Sequence, residues 1–592
     1  MNSRLVALSV AGAILAAACN RAAPAPAAAL ETVAEQSQFA RTGRYDEVER
    51  LCAAYAQTWP AAARCTESGR TPEGRPMLAL VASRAGALTA DEARARNLPV
   101  MLVQGGIHAG EIDGKDAGFL ALRQLLRDEA APGALSSFVF VFVPVFNADG
   151  HERFGRWNRP NQTGPEEMGW QTTAQNLNLN RDYTKADAPE MQAMLRLLTS
   201  WNPVLYADLH VTDGAQFQHD VSNTLEPRYA GDPQLHAAGN ALLAELNTSL
   251  TASGTLPLDF YPDLITADDP SSGFAAAANP PRFSTDYWPL HNRFALLVET
   301  HSWKDYPTRV RITRNTIVTL AGMMAAQGAK WLTMATEANA RSENIAGQDV
   351  AIDYQTGPQQ TMIDFRGYAY TREPSPVSGA LATRYDPTTP QIWQVPLLNT
   401  VLPKTIVKAP LAGYVVPAAH AVWVADKLTL HGIRFARVET AIAAVAVEAF
   451  RAATVALSTA SFEDHTTATL TGEWKAEQRP VPAGSLFVPI AQPNARLVLA
   501  LLEPQSPESL AAWGFFNNAF EQKEYMEGHV TEQVAAGILK DPAVAAAFNE
   551  RLAADPAFAA SPRARLDFFY RRHSSYDERL NLYPVYRTAV AP

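Results

Sequence analysis

Five short, almost unbroken apolar runs, at residues 77–82, 100–104, 138–146, 204–209 and 294–298, constrain this chain most. Each is bounded by Gly, Pro, Asn or Asp. A strand with one wet face alternates apolar and polar residues, so a run apolar at every position must be covered on both faces. Helical spacing fills the intervals, at 45–59 (Val48, Leu51, Cys52, Tyr55), 115–127, 189–201, 233–250 and 314–334. Strands alternating with helices specify an α/β fold, with a mixed, mainly parallel sheet flanked by helices, over residues 40–342. Beyond residue 345 the texture changes. Residues 361–370 alternate, and 413–417, 486–490 and 497–502 read as strands between Pro, Gly and Asp. Residues 506–575 return to helical spacing and include Asp567-Phe568-Phe569-Tyr570. A β-rich region closed by terminal helices is therefore expected over 345–592.

The N-terminus carries an address. Arg4 supplies a positive charge, and residues 5–18 are all apolar or small. That is shorter than the roughly 20 residues a helix needs to span a bilayer, and it fits a secretory signal peptide. Leu15-Ala16-Ala17-Ala18-Cys19 resembles a bacterial lipoprotein signal, which implies a signal segment over residues 1–19 that ends on Cys19 as the lipidated first residue of the mature chain. Leu15 lies one position earlier than that pattern prefers, which leaves an ordinary cleavage just past the run as the alternative. Residues 20–39, rich in Ala with Pro24 and Pro26, read as a flexible tether. The expected location is the periplasm or cell envelope of a bacterium. In an oxidising compartment the two remaining cysteines, Cys52 and Cys65, pair as a disulfide or stay as buried thiols. The net charge of −10 and the lack of a long basic run leave a nucleic-acid partner without electrostatic support.

Three strand ends carry chemistry. Gly105-Gly106-Ile107-His108-Ala109-Gly110-Glu111 follows the run at 100–104. A histidine and a carboxylate three residues apart on a tight turn can reach one ion, or can sit on a solvated turn. His210 ends the run at 204–209, as a third ligand or a structural histidine. Catalytic zinc takes three such protein ligands and leaves one position open. Glu299 ends the run at 294–298. A carboxylate there is either ion-paired or a general base.

The order His108, Glu111, His210, Glu299 resembles the zinc carboxypeptidase family. So do Asn178-Leu179-Asn180-Arg181-Asp182-Tyr183, the turn Asn147-Ala148-Asp149-Gly150 and the segment Thr71-Pro72-Glu73-Gly74-Arg75-Pro76. The resemblance spans about residues 40–335. It implies one zinc ion on His108, Glu111 and His210, with Glu299 as general base. It implies that Asn180 and Arg181 grip the terminal carboxylate of a peptide substrate. Arg159 is preferred over Arg156 for polarising the scissile carbonyl, because Asn158-Arg159-Pro160 begins a loop. Tyr287 is the candidate for a tyrosine closing over the substrate. Asp208 and Asp213 read as solvated loop aspartates rather than supports for His210. Arg181 lies only 29 residues before His210, which implies a shortened loop. A zinc-dependent deacylase of N-acyl amino acids is the alternative activity, and a lipid-anchored binding protein is the non-enzymatic one.

Overall fold

The computed structural model describes residues 30–592. The expected signal peptide, Cys19 and the first half of the expected tether lie outside the described residues. The second half of that tether is a correction. Thr32 caps a helical turn at Val33–Gln36 through a capping box with Glu35, and Leu30 and Ala34 are fully buried. Glu35 also pairs with Arg123, so this segment is docked rather than flexible.

An eight-stranded sheet forms the N-terminal half. Its strands are β1 (Ala63–Arg70), β2 (Pro76–Ala82), β3 (Val100–Gly105), β4 (Val139–Val143), β5 (Leu205–Val211), β6 (Val221–Glu226), β7 (Pro257–Leu258) and, later in the chain, β9 (Phe294–Thr300). The order is β1-β2-β4-β3-β5-β9-β6-β7. Strands β4, β3, β5 and β9 run parallel at the centre, with antiparallel partners outside them. Register places His210 directly beside Glu299. On β3, Val100 and Leu102 enter one hydrophobic core while Met101 and Val103 enter the other. The expected two-sided burial is therefore present. Helices α1 (Tyr45–Thr58), α2 (Asp113–Leu126), α3 (Pro189–Trp201), α4 (His236–Ala252) and α5 (Tyr306–Ser342) flank the sheet. A Cys52–Cys65 disulfide, with Cα atoms 5.3 Å apart, ties α1 to β1. Helix α5 starts earlier than its apolar pattern suggests, because Asp305 accepts the amide of Thr308 and Pro307 occupies the first turn.

After α5 a long ribbon runs out and back through β10 (Asp349–Thr356), β11 (Gln360–Pro374), β12 (Leu381–Leu398) and β13 (Val401–Lys408). The end of β12 adds in parallel to β8 (Phe274–Ala275), a two-residue strand of the N-terminal half. Phe217, Phe260, Phe274, Phe365 and Trp393 pack together at that junction. A second sheet follows, with the order β15-β18-β14-β19-β16-β17. It contains β14 (Gly413–Val416), β15 (Ala436–Arg437), β18 (Leu486–Pro489), β19 (Leu582–Thr588) and the long hairpin β16 (Ile442–Leu457) and β17 (Ala468–Val481). Residues 497–502, expected as a strand, belong to helix α7 (Ala495–Leu502), which follows α6 (Ala421–Leu430). An unbroken apolar run suits a buried helix as well as a buried strand, and every residue at 497–502 is buried. Tyr414, Val488 and Leu497 share one core with Leu102 and Met194, so the C-terminal half covers one face of the eight-stranded sheet. No helix among the described residues is long and apolar enough to cross a membrane.

Candidate active site

The turn after β3 requires glycine at two points. Gly106 has φ +63°, in the left-handed region, and a Cβ on Gly110 would stand 2.5 Å from Cγ of Arg159. The turn throws His108 and Glu111 toward the end of β5, where His210 emerges. The three offer ligand atoms that all lie within 4.8 Å of one another. Glu111 bridges the pair, at 2.9 Å from Nδ1 of His108 and 2.9 Å from Nδ1 of His210. Each ring is aimed from behind. Nε2 of His108 lies 3.2 Å from Oδ1 of Asn178, and Nε2 of His210 lies 3.0 Å from Oδ2 of Asp208. Two Nδ1 atoms and a carboxylate, with both far nitrogens held, make the His/Glu/His donor set that suits zinc.

Asp208 corrects the sequence reading. It is fully buried, accepts from Ser284 at 2.5 Å and Gln104 at 2.9 Å, and supports His210. Its position as the penultimate inward residue of an apolar strand was the available signal. Asp213 is exposed, as expected.

Glu299 faces the same space from β9 and is 7 % exposed, and its Oε2 is buried without a hydrogen-bond partner. Burial, helped by Glu111, Asp213 and Asp208 and opposed by His210, pushes its carboxyl up to about 8. Glu111 behaves oppositely. Burial would raise it, but Arg159, then His108 and His210, outweigh that and hold it well below the usual carboxylate range. Arg159 lies 2.9 Å from Glu111 and donates to Gln171 at 3.0 Å. Arg156 is exposed against Trp157, so the structure brings Arg159, and not Arg156, to the centre.

Arg181 and Asn180 line the same cavity of about 440 Å³ as His108, His210 and Glu299. The guanidinium of Arg181 stacks on Phe283 at 4.0 Å and donates only to the carbonyl of Asn180, at 2.8 Å. No carboxylate pairs with it among the described residues. Burial, and then the like charge of Arg282, lower its pKa. Asn180 accepts the amide of Ser284 at 3.0 Å, which orients its side chain. The two other family-like segments meet beneath the site, where Asp149 accepts from Thr71 and Arg75 at 2.6 Å each.

Tyr287 is a second correction. It is buried, its hydroxyl meets Nδ1 of His431 at 2.8 Å, and it does not line the cavity. Tyr261 lines it instead, and burial followed by the charge of Glu299 raises its phenol. Its segment, Phe260-Tyr261-Pro262, carries no periodicity that marks it. The C-terminal half also reaches the site's edge. Oε2 of Glu463 accepts the amide of Asn178 at 2.9 Å. Glu508 pairs with Arg282 at 2.8 Å, and Phe462 and Trp513 flank that guanidinium.

Several solved structures are similar to part of the chain. Carboxypeptidase A from Helicoverpa armigera is 17% identical, with 50% of this chain and 75% of that one covered, at a TM-score of 0.35. For the metallo-carboxypeptidase from Burkholderia cenocepacia the values are 16%, 46%, 68% and 0.34. For that from Pseudomonas aeruginosa, in complex with (2-guanidinoethylmercapto)succinic acid, they are 15%, 48%, 69% and 0.35. No curated protein matches the chain. The sequence model of the zinc carboxypeptidase family matches residues 48–263, a span that holds His108, Glu111, Arg159, Asn180, Arg181 and His210 and ends before Glu299. Residues 48–263 are thus similar to the zinc carboxypeptidase domain.

Proposed function

We propose that this protein is a zinc-dependent carboxypeptidase that releases C-terminal residues from peptides. One observation carries the reading. A His/Glu/His cluster, a buried carboxylate and a guanidinium with no carboxylate partner all face one cavity. His108, Glu111 and His210 would hold the zinc, which when bound supplies Lewis acidity toward an oxygen ligand. Beside a bound zinc the raised carboxyl of Glu299 would be brought down. The ionised carboxylate then takes the proton of the attacking water and hands it to the leaving amine. Arg159 stabilises the negative oxygen that develops on the scissile carbonyl. Arg181 receives the terminal carboxylate in a two-pronged contact, and Asn180 adds a hydrogen bond. Tyr261 lines the same cavity.

The test is a panel of blocked dipeptides with free or amidated C-termini, run beside N-acyl amino acids. Rapid release from free-acid peptides alone is expected. Preference for the N-acyl amino acids would replace this reading with the deacylase. The apolar segment before Cys19 supports export and lipid anchoring in the cell envelope. Mass spectrometry of the mature N-terminus should find acylated Cys19, and an unmodified terminus further along rejects the anchor.

A further inference from the structure

Strand β9 has Glu299 near its end and Arg293 just before its start. Arg293 reaches a second cavity, of about 270 Å³, between the catalytic and C-terminal halves. Its walls include Trp288, His291, Asn339, Arg434 and Asn494, and none of its lining residues is acidic.

Arg293 is only 4 % exposed. Its Nη1 donates to the carbonyls of His291 at 3.1 Å and Asn292 at 3.0 Å, and to Oδ1 of Asn339 at 3.2 Å. Its Nε is buried with no hydrogen-bond partner, and no carboxylate pairs with the guanidinium among the described residues. A buried cation without a counter-charge is costly, and burial pulls this arginine down to about 10 with nothing opposing it. Nε2 of His291 is likewise buried without a well-formed hydrogen bond, with the Asn494 side chain near the ring and the ring stacked on Trp288 at 4.5 Å. Arg434 brings a second guanidinium from the C-terminal half. Its ion pair is a long contact of 3.4 Å to the exposed Glu343. The cavity thus presents donors and positive charge, which repels a cation and wastes the lining on an apolar ligand.

We propose that this cavity binds a small oxyanion, clasped between Arg293 and Arg434 with Nε2 of His291 as a third donor. The bound anion joins the start of β9 to the C-terminal half, at the end of the strand remote from the active site. The test is calorimetric titration of the zinc-loaded full chain with sulfate, in chloride buffers of matched ionic strength. Arg181→Ala is run in parallel, because the active site also holds guanidinium groups. One sulfate should bind, with an unchanged Kd in Arg181→Ala. Arg434→Ala, at an exposed side chain, should weaken it at least tenfold, and Arg293→Met should abolish it. Absence of sulfate binding, binding unchanged in Arg434→Ala, or binding lost in Arg181→Ala overturns the proposal.

Discussion

In the catalytic half the pocket's groups hang from strand ends. His210 closes β5, Glu299 lies beside it on β9, and His108 and Glu111 follow β3 at a glycine turn. In the C-terminal half, contact is with the loops beside that pocket, from the tip of the β16–β17 hairpin and from Trp513. Phe462 covers Arg282, Glu463 holds the amide of Asn178, and His465 meets Asp187 at 2.7 Å. The difference separates two tasks. Strand ends fix the distances that chemistry needs, while the hairpin tip clamps the loops that carry Arg181 and its neighbours.

The comparison breaks most sharply at the ligands. His210→Ala should remove zinc and abolish hydrolysis while leaving every C-terminal contact intact. Metal analysis showing full zinc occupancy would take His210 out of the site. Glu299→Gln keeps shape and removes the proposed base. Zinc should stay bound while kcat falls by a factor on the order of 10² to 10⁴. A loss of zinc in that variant would mean that Glu299 is a ligand rather than the base.

At the boundary between the two tasks stands Arg181. Its proposed contact with the terminal carboxylate would exist already in the bound ground state, so Arg181→Ala should raise KM by roughly 10- to 100-fold and spare kcat. Amidated peptides should hardly register the change. Equal harm to free and amidated substrates would end the carboxylate-gripping role. Glu463→Ala removes a single charge-assisted bond from the C-terminal half, worth about 1–2 kcal/mol. A KM increase of up to about tenfold at full zinc content is expected. No change in KM would show the hairpin tip to be irrelevant to the pocket.

The smallest effect on turnover belongs to Glu508→Gln. Burial pushes Glu508 up to about 7, against the pull of Arg282. The folded chain therefore retains a proton that the unfolded chain releases near pH 4.5, and stability declines as pH rises from there to about 7. Glu508→Gln should remove a share of that decline on the order of 2 kcal/mol. Urea midpoints at pH 5 and pH 8 measure it, and identical pH dependence in both proteins contradicts it.

What could be read beforehand follows the same division. The central strands announce themselves because burial on both faces leaves no room for polar residues, and the proposed ligands stand where those runs stop. Asp208 was misread because its two neighbours, Ala207 and Leu209, say nothing about what an inward carboxylate will meet. Helix α7 was misread because residues 497–502 are apolar at every position, which erases the period that tells helix from strand. The clamp of Phe462, Glu463 and His465 was invisible, since its partners lie nearly two hundred to three hundred residues away and nothing local encodes them. Tyr261 belongs to the same class, as a loop residue whose role depends on which wall it faces.

The pairing of His210 with Glu299 across β5 and β9 has a consequence for how such a chain can diverge. Side chains on a strand alternate faces, so one inserted or deleted residue within β9 turns Glu299 away from the cavity and slides it past His210. The same change in the segment between β5 and β6, or between β7 and β9, alters a loop and leaves that pair untouched. Length variation among descendants of this chain should accordingly collect in those connections and in the ribbon beyond Ser342, with the segments at Leu205–Val211 and Phe294–Thr300 keeping constant length.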